Sequence, residues 1–341
     1  MKVGIPRAMF YHYFFPWWKT FFTELGCEVV VSPDTTRQMV DKGVTAAVAE
    51  ACFPVKVFYG HVCYLCEQDI DAVFAPRIVS IEPKMYICPK MMGIPDMIKA
   101  QVNALHPVID LCIDFSKGTE TFKKSLNTMA NFMNRKPSDL YHAWQKGEKA
   151  WGEYNEICLQ GHCSLDAMKI WEGDQPGDYN DSDLTIGVLG HSYNLNDSSI
   201  SLGLFRRLNE MGIRIVTAEM IQQHWINTMA ATLPKRMFWT IGKDLVGAAL
   251  AMDNDDQIDG MIYLSCFGCG LDSMLAKLVE LRVSKPYMML TVDEHSGEAG
   301  VITRLEAFSD MLKRRPWRED NFPSYGQSLY TNQIPVAEPG S

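Results

Sequence analysis

A chain of 341 residues, 47% hydrophobic and 21% charged with a net charge of −9 at pH 7, has the make-up of a globular protein and is long enough for two cores. The acidic balance and the lack of a long basic run argue against nucleic acid and anionic membrane surfaces as partners. No run of about 18 apolar residues is present to span a bilayer. The aromatic stretch from Met9 to Trp18 has neither a basic leader nor a cleavage site, so it does not read as a signal peptide. Ten cysteines without an export signal point to a reducing, cytoplasmic setting, where thiols serve metals or chemistry rather than disulfides.

Lys2 to Ile5 reads as a buried strand before a turn at Pro6-Arg7. Trp17 to Leu25 follows helical spacing and stops at Gly26, and Cys27 to Val31 is a β-branched second strand. That order predicts a right-handed parallel crossover. Val44 to Ala51 reads as a helix, and Phe53-Pro54 opens another, since proline suits a first helical position. Ala72 to Ala75 is a third strand, the stretch from Ile78 to Met92 a loop carrying Cys88, and Pro107 to Asp110 a further strand. Lys117 to Cys163 is helical throughout, and Glu172 to Asp183, rich in Gly, Asp, Asn and Pro, reads as a loop.

A new sheet begins at Leu184 to His191, and here the chain echoes itself. The pattern strand, helix, Glu24-Leu25-Gly26, strand returns as strand, helix, Glu210-Met211-Gly212, strand. Asp71-Ala72-Val73-Phe74 likewise parallels Asp259-Gly260-Met261-Ile262. Pro286 to Thr291 is a last strand, Ala299 to Leu312 a last helix, and the tail after Pro316 is irregular. The predicted fold class is therefore α/β: two related doubly wound, Rossmann- or flavodoxin-like domains at 1–116 and 183–315. A helical connector and loop at 117–182 separates them, a tail at 316–341 follows, and a metal site lies in the interdomain cleft.

The chemistry concentrates in Cys266-Phe267-Gly268-Cys269-Gly270, a glycine-containing turn between an apolar strand and a helix. Open α/β sheets place ligands at such a carboxyl edge, and helix N–H groups there favour thiolates and anionic clusters. The Cys-x-x-Cys spacing suits zinc, an iron–sulfur cluster or redox cycling, and does not choose among them. Cys52, just before a helix start, and Cys88, before Pro89, occupy comparable positions, so the predicted ligand set is Cys52, Cys88, Cys266 and Cys269. Cys63 and Cys66 form a second Cys-x-x-Cys on one helical face and are either extra ligands or core. His191, at a strand end, is expected to deliver protons or to be structural. Within Asp293-Glu294-His295, Glu294 and His295 are the candidates for proton supply, with helix capping as the alternative. No Walker or Gly-x-Gly-x-x-Gly fingerprint occurs, so nucleotide binding by this chain has no motif behind it.

Taken together, Ile5-Pro6-Arg7, Glu50-Ala51-Cys52-Phe53-Pro54-Val55-Lys56, Pro76-Arg77-Ile78-Val79-Ser80, Cys88-Pro89-Lys90, Gly190-His191-Ser192-Tyr193-Asn194, the Cys269 to Ser273 turn and Asp293 to Gly300 resemble the activase-related relatives of 2-hydroxyacyl-CoA dehydratases. The resemblance runs over nearly the whole chain and corresponds to the form without a fused ATPase module. It implies a [4Fe-4S] cluster between α/β domains, or a double-cubane [8Fe-9S] cluster, in an anaerobe's cytoplasm. Low-potential electrons would arrive from a separate ATP-dependent, cluster-containing activator, for reduction of a small molecule, acyl-CoA included, or for relay. By the same resemblance Cys52, Cys88 and Cys269 are ligands. Cys266 stands where large relatives usually carry serine. A fourth thiolate there would close the open iron site that a dehydratase needs, which puts dehydratase activity in question. A cluster carrier without catalysis, or a structural zinc protein, are the alternatives.

Overall fold

The computed structural model describes residues 1–175 and 182–314. The first half runs β1 (Lys2–Ile5), α1 (Tyr11–Glu24), β2 (Glu28–Val31), α2 (Arg37–Ala46), α3 (Phe53–Cys66), β3 (Ala72–Phe74), β4 (Arg77–Ser80), α4 (Pro89–Gln101), β5 (Val108–Ile109) and β6 (Cys112–Asp114). Three helices follow, α5 (Glu120–Phe132), α6 (Pro137–Leu159) and α7 (Ser164–Trp171). The second half is β7 (Thr185–Leu189), α8 (Ser192–Leu195), α9 (Leu204–Glu210), β8 (Arg214–Thr217), α10 (Gln223–Ala230), α11 (Thr240–Asp253), β9 (Gly260–Cys266), α12 (Gly270–Glu280), β10 (Tyr287–Val292) and α13 (Glu298–Arg314).

Two four-stranded sheets result, ordered β2-β1-β3-β5 and β10-β9-β7-β8, with every pair parallel. In each sheet the strand opening the half lies between the next two in sequence, so the order is the same doubly wound one, and the internal echo in the sequence is an echo of topology. β4 and β6 form a separate two-stranded parallel ribbon. Crossover helices run antiparallel to the strands they join, so their N-termini gather at the carboxyl edges of the sheets. No helix among the described residues is long and apolar enough to cross a membrane.

Three local expectations are corrected. Helix α1 begins at Tyr11, not Trp17, and carries Pro16 in its interior. Proline leaves the carbonyl four residues back without its N–H partner. That carbonyl, of His12, instead accepts from Ser164 Oγ at 2.7 Å and Tyr154 Oη at 3.4 Å, donors from α7 and α6 that no local pattern reveals. The helix expected at Val44 to Ala51 lies earlier, in α2, where Thr36 Oγ1 accepts from Met39 N and fixes the start. The expected loop Ile78 to Met92 holds strand β4 and the start of α4. Residues 176–181 of the predicted connector loop, and the tail from 315, lie outside the described residues.

Helices α2 and α3 cross almost backbone to backbone. A Cβ on Gly43 would lie 1.9 Å from the Lys56 carbonyl oxygen, and one on Gly60 would lie 2.1 Å from the Met39 oxygen. Only glycine permits this approach, which sets the position of α3 and of the cysteine at its head.

Candidate metal centre

Cys52, Cys88 and Cys269 are the N-cap residues of α3, α4 and α12. Proline in the first turn of α3 and α4 pre-forms the helical start immediately after the cysteine. Each thiol therefore stands where unpaired helix N–H groups and the positive end of the dipole favour negative charge. Cys269 already uses this, its sulfur accepting from Asp272 N at 3.4 Å.

The helix heads that carry these caps lie near one another although they come from different parts of the chain. A Cβ placed on Gly268 would lie 3.6 Å from the Cys52 Cα, so the turn before Cys269 rests on the head of α3. Gly268 has φ +79, the left-handed region that a side chain strains to adopt. Lys90, two residues after Cys88, donates to the Glu50 carbonyl at 3.0 Å and reaches the Gly268 carbonyl at 3.5 Å. Burial pushes the Cys52 thiol up, and its proximity to Cys88 adds to that while Lys90 opposes it. Cys266, at the end of β9, is 1% exposed. Burial drives its thiol well above the ordinary range, and Asp272, Cys52 and Cys269 push the same way.

His191 forms the other wall. Its Nε2 lies 3.2 Å from Asp272 Oδ1, an oxygen that also accepts from Tyr263 Oη at 3.1 Å. Its ring stacks on Tyr193 at 4.9 Å and 9°. Burial alone would strip the imidazole of its proton, but the Asp272 carboxylate and the Cys269 thiol reverse this and raise it to about 10. Ligand atoms of His191, Cys269 and Asp272 lie within 4.8 Å of one another, a set able to hold a metal ion. Several buried polar atoms here lack a partner among the described residues: His191 Nδ1, Asp272 Oδ2 and both amide atoms of Asn194.

Other predicted residues fall elsewhere. Cys63 and Cys66 sit near the far end of α3, about 16 Å or more along the axis from Cys52 at 1.5 Å per residue, so the structure does not bring them to the other thiols. Glu294 is nearby but engaged, its carboxylate paired with Lys56 of α3. His295 is exposed, its backbone N–H bound by Asp293 Oδ1, which also accepts from Ser296 Oγ. The acidic segment is thus a self-capped turn, with Glu298 paired to Arg207 at 2.7 Å. Asp272 and Tyr193 went without a role in the sequence reading. The signal for Asp272 was an acid in the first turn of a helix whose cap is a cysteine.

The fold thus defines an α/β protein of two four-stranded parallel sheets and a small parallel ribbon, in which Cys52, Cys88 and Cys269 each cap a helix. The chain belongs to the family described as CoA enzyme activase uncharacterised domain (DUF2229), whose model matches residues 2–221. That span includes Cys52, Cys88 and His191 and ends before Cys266 and Cys269. No curated protein matches the chain. Among solved structures it is similar to the C-terminal domain of glucosamine-fructose-6-phosphate aminotransferase from Francisella tularensis, at 12% identity over 91% of this chain and 83% of that one, with a TM-score of 0.21. A likeness that slight carries no argument.

Proposed function

We propose that this activase-related chain is an iron–sulfur protein in which Cys52, Cys88 and Cys269 hold the cluster, [4Fe-4S] in the simplest form, with Cys266 as the fourth thiol. What supports the reading is that the helices these cysteines cap begin near one another: the Gly268 turn packs on Cys52, and Lys90 of α4 reaches the Gly268 carbonyl. A closed zinc site fits these thiols less well. Tetrahedral bonds of about 2.3 Å draw sulfurs to roughly 3.8 Å apart, and among the described residues no three thiols lie within 4.8 Å of one another. A cluster spans a wider frame, and double-cubane [8Fe-9S] occupancy is the larger variant of the same reading.

When bound, such a cluster supplies one-electron chemistry at low potential. The chain's own part is to hold and tune it. Three helix N-termini and Lys90 favour its negative charge. His191, whose nitrogen lies within 4.8 Å of the Cys269 sulfur, would offer an N–H to the cluster sulfur, and hydrogen bonds to ligand sulfur raise a cluster's potential. Burial of Cys52 and Cys266 excludes water, and Lys56 with Glu294 clamps the two halves around the site.

In keeping with the family, electrons would come from a separate ATP-dependent activator and pass to a small molecule, acyl-CoA included, or to a dehydratase-type partner. His191, beside Asp272 and Cys269, is our candidate to hold a proton at the reacting centre. Glu294 and His295 remain as weaker candidates, the first through Lys56 and the second only if its turn moves.

A second reading has its own observation. His191, Cys269 and Asp272 could bind one divalent metal with an open position. Iron and acid-labile sulfide per chain on anaerobically purified protein decide between them. Roughly four of each, falling sharply in Cys52→Ala, Cys88→Ala and Cys269→Ala but not in Cys63→Ala, supports the cluster. One metal without sulfide, lost in Asp272→Asn and kept in Cys88→Ala, supports the single ion and ends the cluster proposal.

A further inference from the structure

A cavity of about 610 Å³ opens between α1, α6 and the α10–α11 pair, outside the thiol site. That volume suits a small organic ligand. Much of its wall is aromatic, with Tyr13, Phe14, Trp17, Phe115, Trp144 and Trp151. Two of the three indole N–H groups and one lone pair of the Tyr13 hydroxyl are already engaged. Trp17 Nε1 donates to the Trp144 carbonyl at 3.1 Å, Trp151 Nε1 to the Tyr13 carbonyl at 2.9 Å, and Tyr13 Oη accepts from Ser192 N at 3.0 Å. What the two indoles with engaged N–H groups offer a guest is ring surface.

The charged residues of the wall all carry one sign: Glu82, Glu148, Glu219 and Asp244. Lys243, beyond the wall, pairs with Glu82 at 2.9 Å and Asp244 at 3.4 Å. Glu148 and Glu219 have no ion-pair partner among the described residues, so the cavity keeps a negative bias. Indole and phenol faces attract cations through the ring quadrupole, and the attraction strengthens where water is excluded. Coenzyme A phosphates and free carboxylates meet the opposite conditions, with like charge and few donors.

We propose that this cavity binds an apolar organic cation, an aryl- or alkyl-substituted amine or quaternary ammonium. The proposal stands apart from the metal reading, since no thiol lines the cavity and no metal is needed for occupancy. The site is nonetheless close to the centre. Tyr13 packs edge-on to Tyr193 at 6.1 Å, and Tyr193 stacks on His191, so a guest against Tyr13 lies about two rings from His191.

The test uses the full chain and follows tryptophan fluorescence and calorimetry with benzyltrimethylammonium, phenethylammonium and the neutral isostere neopentylbenzene. The cations should bind roughly tenfold or more tighter than the neutral compound, without competition from coenzyme A. Glu219→Gln and Glu148→Gln should each weaken cation binding severalfold and leave the neutral compound unchanged. Glu148 is exposed, so its variant keeps the test valid should Glu219→Gln fold poorly. Equal affinity for the isostere, binding unaffected by Glu148→Gln, displacement by coenzyme A, or no binding by either cation would overturn the proposal.

Discussion

Lys56 and Glu294 join the two halves of the protein. Lys56 lies in the first turn of α3, behind Cys52, and Glu294 in the turn after β10, and their side chains are only 10% and 16% exposed. Arg37 adds a bond from its guanidinium to the Glu294 carbonyl at 3.4 Å. Burial would favour a neutral Glu294, but the Lys56 ammonium outweighs this and holds the carboxyl below its usual range.

Removing one partner should cost more than removing both. Lys56→Met or Glu294→Leu alone leaves a largely buried charge without its mate, and we expect each to lower unfolding free energy by about 1–3 kcal/mol. The double variant should lose clearly less than the sum, as a double-mutant cycle in urea would show. Full additivity would mean that the contact couples nothing.

Stability should fall on mild acidification. His61 is buried with Nδ1 2.8 Å from Ser32 Oγ and Nε2 2.8 Å from Thr35 Oγ1, whose own hydroxyl donates to Asp197. Burial, reinforced by Arg7, lowers His61 to about 4, and burial lowers His12 to about 3. The unfolded chain protonates both below about 6.5 while the native state keeps them neutral. The stabilising contribution is therefore whole above pH 6.5 and is lost as pH drops toward 4 for His61 and toward 3 for His12. Two such groups give a limiting slope of about 2.7 kcal/mol per pH unit. Urea titrations between pH 7 and 5 should show His61→Gln with a smaller slope than the parent protein; an identical slope would refute the assignment.

Gly60→Ala should disturb the proposed metal centre from a distance. The added methyl has nowhere to go but into the Met39 carbonyl, 2.1 Å away, so α3 must shift or tilt. We expect a loss of about 1–3 kcal/mol together with lower metal content per folded chain. Gly152→Ala, inside α6 where the new carbon meets nothing within 4 Å, serves as the control: it should gain about 0.5–1 kcal/mol and leave metal content unchanged.

The bond that replaces Pro16's missing donor can be traced through Ser164. Ser164→Ala removes a buried partner of the His12 carbonyl and should cost about 1–2 kcal/mol. Restoring an N–H with Pro16→Ala should shrink the cost of Ser164→Ala in that background, measured by thermal unfolding. An undiminished cost would show that Ser164 acts through Tyr154, to which it also bonds at 2.7 Å.

How much of this was legible beforehand depends on how local its cause was. Strands β1, β3, β7 and β9 announced themselves because buried parallel strands read as continuous apolar runs, and β2 and β10 through their β-branched and apolar composition. The helix starts after Cys52 and Cys88 differ instructively. Proline signalled both, but the one at Cys88 was submerged in a segment, Ile78 to Met92, read as a loop. The three-residue β6 was too short to carry any period. That Cys52 meets the Cys269 turn could be proposed from topology, yet nothing in the sequence states that Gly268 touches Cys52, or that Lys90 reaches across to it. The same holds for Glu294, whose acidic neighbourhood was visible while Lys56, 238 residues away, was not assigned to it.

The separation of the capping thiols along the chain has a bearing on how the protein is made. Cys52 and Cys88 leave the ribosome long before Cys269 exists, and neither alone offers a pocket. On the proposed reading, cluster insertion must wait for translation to reach the second sheet, which makes it a late step of biogenesis rather than a seed for it.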